Sequence, residues 1–296
     1  MEHRKIGSLS VSVVGLGCNN FGMTIDEKQT DAVVNAALDA GITFFDTADI
    51  YGGTNSERFL GKALATRRNE AVVATKFGLR ANDDFPGGAK PEYVRKACDA
   101  SLKRLNIERI DLYQLHKPDP STPIADTLAA MKELVKTGKV REIGCSNFSV
   151  AQLREAGEFV SVQNEYSLLH RDPEPDVLPE CARTGRAFLP YFPLANGMLT
   201  GKYTKGAAPP KGTRMQMSWA AAALTDRNFA IVEGLKKIAE QRGHSMLELA
   251  FSWLLRHDAV ASVIAGATKP EQVRANANAG GWKMSPEDLA AIDALL

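Results

Sequence analysis

The chain has 296 residues, 44% of them hydrophobic and 24% charged. That is material for a large core, and α/β barrels of about 250 residues form one domain. With 36 basic against 35 acidic residues the net charge is +1, which argues against nucleic acid or an anionic membrane as the main partner. Four separated cysteines, Cys18, Cys98, Cys145 and Cys181, show no CxxC pair and predict reduced, packed thiols without a disulfide framework or a metal site. The start MEHRKIG reads as no secretory signal and no apolar run reaches the roughly 20 residues that span a bilayer, so a cytoplasmic protein is expected.

Residues 1–12 predict a hairpin turning at Gly7-Ser8, placed as a plug on a barrel floor. Apolar, β-branched runs follow at 11–16, 42–46, 71–75, 110–115, 140–145, 160–164, 187–192 and 259–264, with the character of strands buried on both faces. Helical patterns lie between them, over 27–40, 56–66, 91–105, 123–137, 150–157 and 176–184. Capping-box spacings mark helix starts at Thr24 with Glu27, Ser149 with Gln152, Ser245 with Glu248, and Thr268 with Glu271. Residues 193–258 are too long for one strand-to-helix link and split into a Gly/Pro/Lys-rich loop, 199–226, and two helices near 228–242 and 246–257. Long loops of this kind serve as lids or binding loops. A last helix follows Ser285-Pro286. Eight strands alternating with helices predict an α/β fold, a (β/α)8 TIM barrel with an N-terminal β-hairpin and additional helices after strand 7 and at the C-terminus, over 1–296 as a single domain.

In such a barrel the chemistry gathers at the C-terminal strand ends. Asp46 follows ITFF, Lys76 follows AVVAT, His116 follows DLYQL, Ser146 and Asn147 follow REIGC, Gln163 and Asn164 end VSVQN, and Tyr191 ends the seventh run. Tyr51 lies five residues past Asp46, in DTADIYG. Singly, Asp46 reads as a loop cap, Lys76 as a surface lysine, His116 as a structural histidine and Tyr51 as packing. Together at strand ends they are costly to explain by packing. A lysine beside a tyrosine favours phenolate and lowers the phenol pKa, which suits a general acid or base. Asp46 can hold Lys76, and His116 can donate to a substrate oxygen. GLGCNNFG imitates a dinucleotide-binding glycine loop, but its third glycine position is Asn20, which removes that reading.

The blocks FFDTADIYGGTNSERFLGKAL, VVATKFG, IDLYQLHKPDP, VREIGCSNFS, VSVQNEYSLLHR, PYFPLANGMLTGKY and VIAGATKPEQVRANANA together resemble the successive signatures of the aldo-keto reductases, in order, from about residue 4 to 280. The resemblance implies reduction of aldehydes or ketones by hydride transfer from NADPH, with NAD possible. Its catalytic tetrad falls on Asp46, Tyr51, Lys76 and His116, with Tyr51 the proton donor. Ser146, Asn147 and Gln163 match residues that hold the nicotinamide carboxamide, and Tyr191 the aromatic that stacks on the ring. Phe192, Pro193, Leu194, Asn196, Gly197 and Lys202 fall on the pyrophosphate side. Ile264, Gly266, Ala267, Thr268, Lys269, Gln272 and Asn276 fall at the adenosine end. Some members carry lysine at the position of Gly266 and arginine at that of Gln272, both on the 2′-phosphate of NADP, so here Lys269 is the nearby cation. Phe192 stands for a common serine and Ala265 for a common proline. Met23, Phe77, Phe85 and Trp219 are candidate pocket walls. The implied partner is a small carbonyl substrate, with no metal, nucleic acid or membrane, in a monomer or homo-oligomer. Two other functions compete: a Schiff-base enzyme using Lys76, and a channel-associated redox subunit.

Overall fold

The computed structural model describes residues 1–80, 86–210 and 212–296, without the side chains of Ser218 and Trp219. Strands β1 (His3–Ile6) and β2 (Leu9–Ser12) form the expected antiparallel hairpin. Eight parallel strands follow: β3 (Val14–Gly17), β4 (Phe44–Asp46), β5 (Val72–Phe77), β6 (Ile110–Leu115), β7 (Val140–Ser146), β8 (Ser161–Glu165), β9 (Ala187–Tyr191) and β10 (Val263–Gly266). Each pairs with the next from β3 to β9, and β10 pairs back onto β3. The circle closes through Phe188, whose N–H donates to Ala259 O at 2.7 Å and whose carbonyl accepts from the Ala261 N–H at 3.0 Å. This is the expected (β/α)8 barrel.

Two runs divide differently from the sequence expectation. The first spans two elements, because Ser12 turns the chain between β2 and β3: its Oγ donates to Val14 O at 2.6 Å. In the eighth, residues 259–261 serve the closure onto Phe188, and the strand itself begins at Val263.

The outer layer is α1 (Glu27–Asp39), α2 (Asn55–Leu64), α3 (Pro91–Leu105), α4 (Ile124–Lys136), α5 (Val150–Ala156) and α6 (Val177–Thr184). After β9 come the short α7 (Ser218–Ala221), then α8 (Asp226–Gln241) and α9 (Met246–Leu255). Helices α10 (Pro270–Asn278) and α11 (Pro286–Asp293) follow β10. The reciprocal caps at Ser149/Gln152 and Ser245/Glu248 form as read, and Ser285 caps α11 with Pro286 in its first turn. Two others do not. Helix α1 is capped by Asp26 with Gln29, while the Thr24 N–H turns back to Asn20 O. At α10 the Thr268 N–H and hydroxyl go to Gln272 Oε1, in place of Glu271.

The hairpin closes the N-terminal end of the barrel. Ile6, Leu9 and Val11 pack with Phe44, Ala74, Leu112, Leu189 and Ile264. Phe44, Ala74 and Leu112 sit two residues before Asp46, Lys76 and Gln114, and side chains two apart on a strand share a face. An apolar layer therefore lies beneath a polar one. Among the described residues no helix is long and apolar enough to cross a membrane.

Arg4 fastens the hairpin to the barrel, donating to Leu255 O at 3.0 Å, His257 O at 3.0 Å and Val260 O at 2.8 Å. Arg4→Ala leaves these carbonyls without that donor and is expected to lower stability by about 2 kcal/mol, on the scale of hydrogen bonds to a charged group. Urea unfolding with an unchanged midpoint would show that the tether contributes nothing.

Candidate active site

Three strand ends and one turn bring the expected tetrad together. Asp46 ends β4, Lys76 lies on β5, His116 follows β6, and Tyr51 opens a 3-10 turn over Tyr51–Thr54. Lys76 is fully buried, and its Nζ donates to Asp46 Oδ2 at 2.5 Å and Thr47 O at 2.9 Å. Asp46 Oδ1 accepts from Gln114 Nε2 at 3.1 Å and Gln163 Nε2 at 3.0 Å. Lys76 Nζ lies 5.3 Å from the centre of the Tyr51 ring, and the Tyr51 and His116 rings meet edge to face at 5.8 Å. Local backbone sets the tyrosine. Gly52, Gly53 and Thr54 all take left-handed conformations, with φ of 57°, 60° and 80°. A Cβ on Gly52 would lie 2.3 Å from Phe21 O, so glycine there lets the loop after β3 press against the turn.

Electrostatics correct one expectation. Burial raises the Tyr51 phenol, and the Lys76 charge only partly offsets it, so the net direction is upward and not toward phenolate. Burial alone would lower the Lys76 ammonium, but Asp46 and Tyr51 outweigh it and carry it upward. Burial, then the Lys76 charge, holds His116 well below its ordinary value, as a neutral imidazole. The site at neutral pH thus holds a protonated phenol, an ammonium and an uncharged histidine.

Beside the tetrad, Ser146 Oγ donates to Gln163 O at 2.7 Å, and Asn147 Nδ2 to His116 O at 2.9 Å. Tyr191 OH donates to Asn147 Oδ1 at 2.8 Å. Ser146, Asn147, Gln163 and Tyr191 are therefore one connected group. The chain then turns sharply, with positive φ at Phe192, Ala195, Asn196 and Gly197. In this stretch Pro193 is buried and Leu194 half-buried, while Lys202 beyond it is exposed. Gly266, Lys269 and Gln272 are exposed across the mouth; Ala267 and Asn276 are buried, and Thr268 is intermediate. Ile264 points into the lower apolar cluster instead. Of the candidate walls, Met23 is exposed, but Phe77 is fully buried and stacks on Tyr113 at 4.7 Å, in the layer between strands and helices. Phe85 and the Trp219 side chain lie outside the described residues.

Arg214 ends the charged run 202–214, which as sequence reads either as a solvated loop or as a grip for phosphate. Its guanidinium sits 5.5 Å from the Phe192 ring centre and donates to Asn20 Oδ1 at 3.3 Å. Asn20 Nδ2 in turn donates to Ala267 O at 3.4 Å. Burial lowers the Arg214 pKa, against a smaller upward pull from Tyr51 and Tyr203. Nothing in the spacing of PPKGTRM announces this, because the loop's return to the mouth is tertiary. Gln114 was missed for a different reason: it looked like one polar letter in an apolar strand.

Residues 13–296 match the family model of the aldo/keto reductase family. The chain belongs to the aldo/keto reductase family. It is 36% identical over 302 residues to a probable aldo-keto reductase 1 from Glycine max, covering 97% of this chain and 87% of that protein. Among solved structures it resembles a glycerol dehydrogenase from Gluconobacter oxydans, with TM-score 0.87 and 32% identity over 97% of this chain and 92% of the other. It also resembles the holo form of an aldo-keto reductase from Bacillus halodurans, with TM-score 0.86 and 31% identity over 100% and 96% of the two chains. The family is one of oxidoreductases that use a nicotinamide cofactor on small carbonyl compounds.

One carboxyl in this chain stands apart from the tetrad. Asp49 is 1% exposed, its N–H donates to Lys76 O at 3.0 Å, and neither carboxyl oxygen has a close hydrogen-bond partner among the described residues. Nearby Glu57, fully buried, accepts from Thr75 Oγ1 at 2.6 Å and Arg104 Nε at 2.5 Å. Burial and then Glu57 push the Asp49 carboxyl from 3.8 to about 7, with Arg104 and Lys76 opposing. The folded state therefore binds a proton there that the unfolded chain releases, and stability falls as pH rises from about 4 to about 7. Asp49→Asn removes that titration. The variant is expected to gain on the wild type between pH 5 and pH 8 in denaturant unfolding; a stability difference constant across that range would refute the assignment.

Proposed function

We propose that this chain reduces an aldehyde or ketone to the alcohol, with Tyr51 as general acid. The reading rests on one observation above all: the buried Lys76–Asp46 pair set against the Tyr51 ring. A reduced nicotinamide, when bound, supplies the hydride that the carbonyl carbon receives. Tyr51, kept protonated by burial, gives its proton to the carbonyl oxygen. The phenolate left behind faces the Lys76 ammonium, whose charge favours it. His116, uncharged, is suited to donate a hydrogen bond to the same oxygen and orient it. The raised Lys76 pKa argues against a Schiff-base enzyme, which needs a free amine.

The residues fit a nicotinamide dinucleotide. Ser146, Asn147 and Gln163 would hold the carboxamide, with Tyr191 against the ring. The Phe192–Gly197 turn, Lys202 and Arg214 would face the pyrophosphate. Gly266, Ala267, Thr268, Lys269, Gln272 and Asn276 would line the adenosine end. Arg214 supports this best: a largely buried guanidinium whose one hydrogen-bond acceptor among the described residues is a neutral amide calls for an anion. Lys269 favours NADPH over NADH. Residues 1–296 act as one barrel unit in this reading, and the four buried, unpaired cysteines suit a reducing, cytoplasmic setting.

Tyr51→Phe is expected to slow NADPH oxidation by an activated aromatic aldehyde on the order of a hundredfold or more, with NADPH binding retained. A variant as fast as the wild type would remove Tyr51 as the proton donor. Arg214→Met is expected to weaken NADPH binding about tenfold, equivalent to about 1.4 kcal/mol, when titrated by fluorescence. Unchanged affinity would take Arg214 out of the cofactor site.

A further inference from the structure

Gln114 is fully buried on β6, two residues before His116. In the sheet register it stands directly opposite Lys76 of β5. The two side chains take the same carboxylate from its two oxygens: Lys76 holds Asp46 Oδ2 at 2.5 Å and Gln114 holds Oδ1 at 3.1 Å. On its other side Gln114 is paired with Gly144 of β7. A Cβ on Gly144 would lie 2.4 Å from Ser161 Oγ and 3.4 Å from Gln114 Cγ, so glycine there makes room for Ser161 and leaves the Gln114 side chain in ordinary contact. Gln114 Oε1 has no hydrogen-bond partner among the described residues. A buried amide left half unsatisfied is unfavourable beside an apolar residue of the same size, so packing does not account for it. Its N–H does. The other donor to Oδ1, Gln163, also serves the cofactor pocket in the reductase reading; Gln114 has no surface at the mouth.

We infer that Gln114 is a positioning residue, which fixes the Asp46 carboxylate so that Lys76 keeps its place against Tyr51 while the phenol gives up its proton. The inference rests on the reductase reading and deepens it. The amide meets Asp46 of β4 and stands opposite Lys76 of β5, and the titratable groups that interact with that pair are Cys18 just after β3, Tyr51 and His116.

Single-turnover hydride transfer from saturating NADPH to an activated aromatic aldehyde tests it. Gln114→Leu is expected to slow the transfer about tenfold or more, since small misplacements of a catalytic group are costly, while the NADPH Kd and aldehyde KM stay within about twofold. Gln114→Glu carries the sharper signature. Protonated, the introduced carboxyl can donate to Asp46 Oδ1 and sustain the rate; ionised, it repels Asp46, so the rate falls along a new limb as pH rises. This limb is read within one variant and survives a folding defect in the leucine variant. Wild-type rates in both variants, with Tyr51→Phe still crippled, overturn the role of Gln114 alone. So does a uniform loss that follows cofactor affinity or unfolded fraction with no new pH limb. A wild-type protein that transfers no hydride removes the reductase reading, and the positioning role with it.

Discussion

The rest of the site depends on one constraint: a lysine and an aspartate paired inside the barrel, out of reach of water. A buried charge is tolerated only when its partner and its remaining hydrogen bonds are in place. Lys76 therefore needs Asp46 and the Thr47 carbonyl, and Asp46 needs the two amides of Gln114 and Gln163. These groups come from β4, β5, β6 and β8, so a change in the register of one strand would expose a charge to an apolar layer. The alternation of side chains along each strand supplies the order, with Phe44, Ala74 and Leu112 below and Asp46, Lys76 and Gln114 above.

The same burial sets the proton states around the pair. It pushes the phenol of Tyr51 up and the imidazole of His116 down, so both are neutral where the lysine is charged. The expectation of a phenol lowered by its lysine weighed the neighbouring charge and not the cost of removing a phenolate from water. The cation's influence is still present, and in the proposed reaction it would stabilise the phenolate that Tyr51 becomes more than it decides the resting state.

Much of this was legible in the sequence because strands buried on both faces leave a dense apolar signal, and each polar residue that ends one is conspicuous. Asp46, Lys76 and His116 stood out that way, and Tyr51 through its short distance from Asp46. Helix starts were readable where Ser149, Ser245 and Ser285 are the caps, and misread at Thr24, where Asp26 was an equally good cap two residues on. The partners of Arg214 were not legible: its loop folds back to Asn20, across 194 positions of chain. Phe77 failed as a pocket wall because the residue after an inward-facing Lys76 faces outward.

The hairpin has a consequence for how protons travel. With Ile6, Leu9 and Val11 seated under Phe44 and Leu112, the barrel is a vessel stoppered at its base. In the proposed reaction, a proton that leaves Tyr51 would be replaced through the mouth, on the side where the substrate would enter. Entry of reactant, departure of product and recharging of the proposed acid would then share one doorway, and its occupancy would order the three in time.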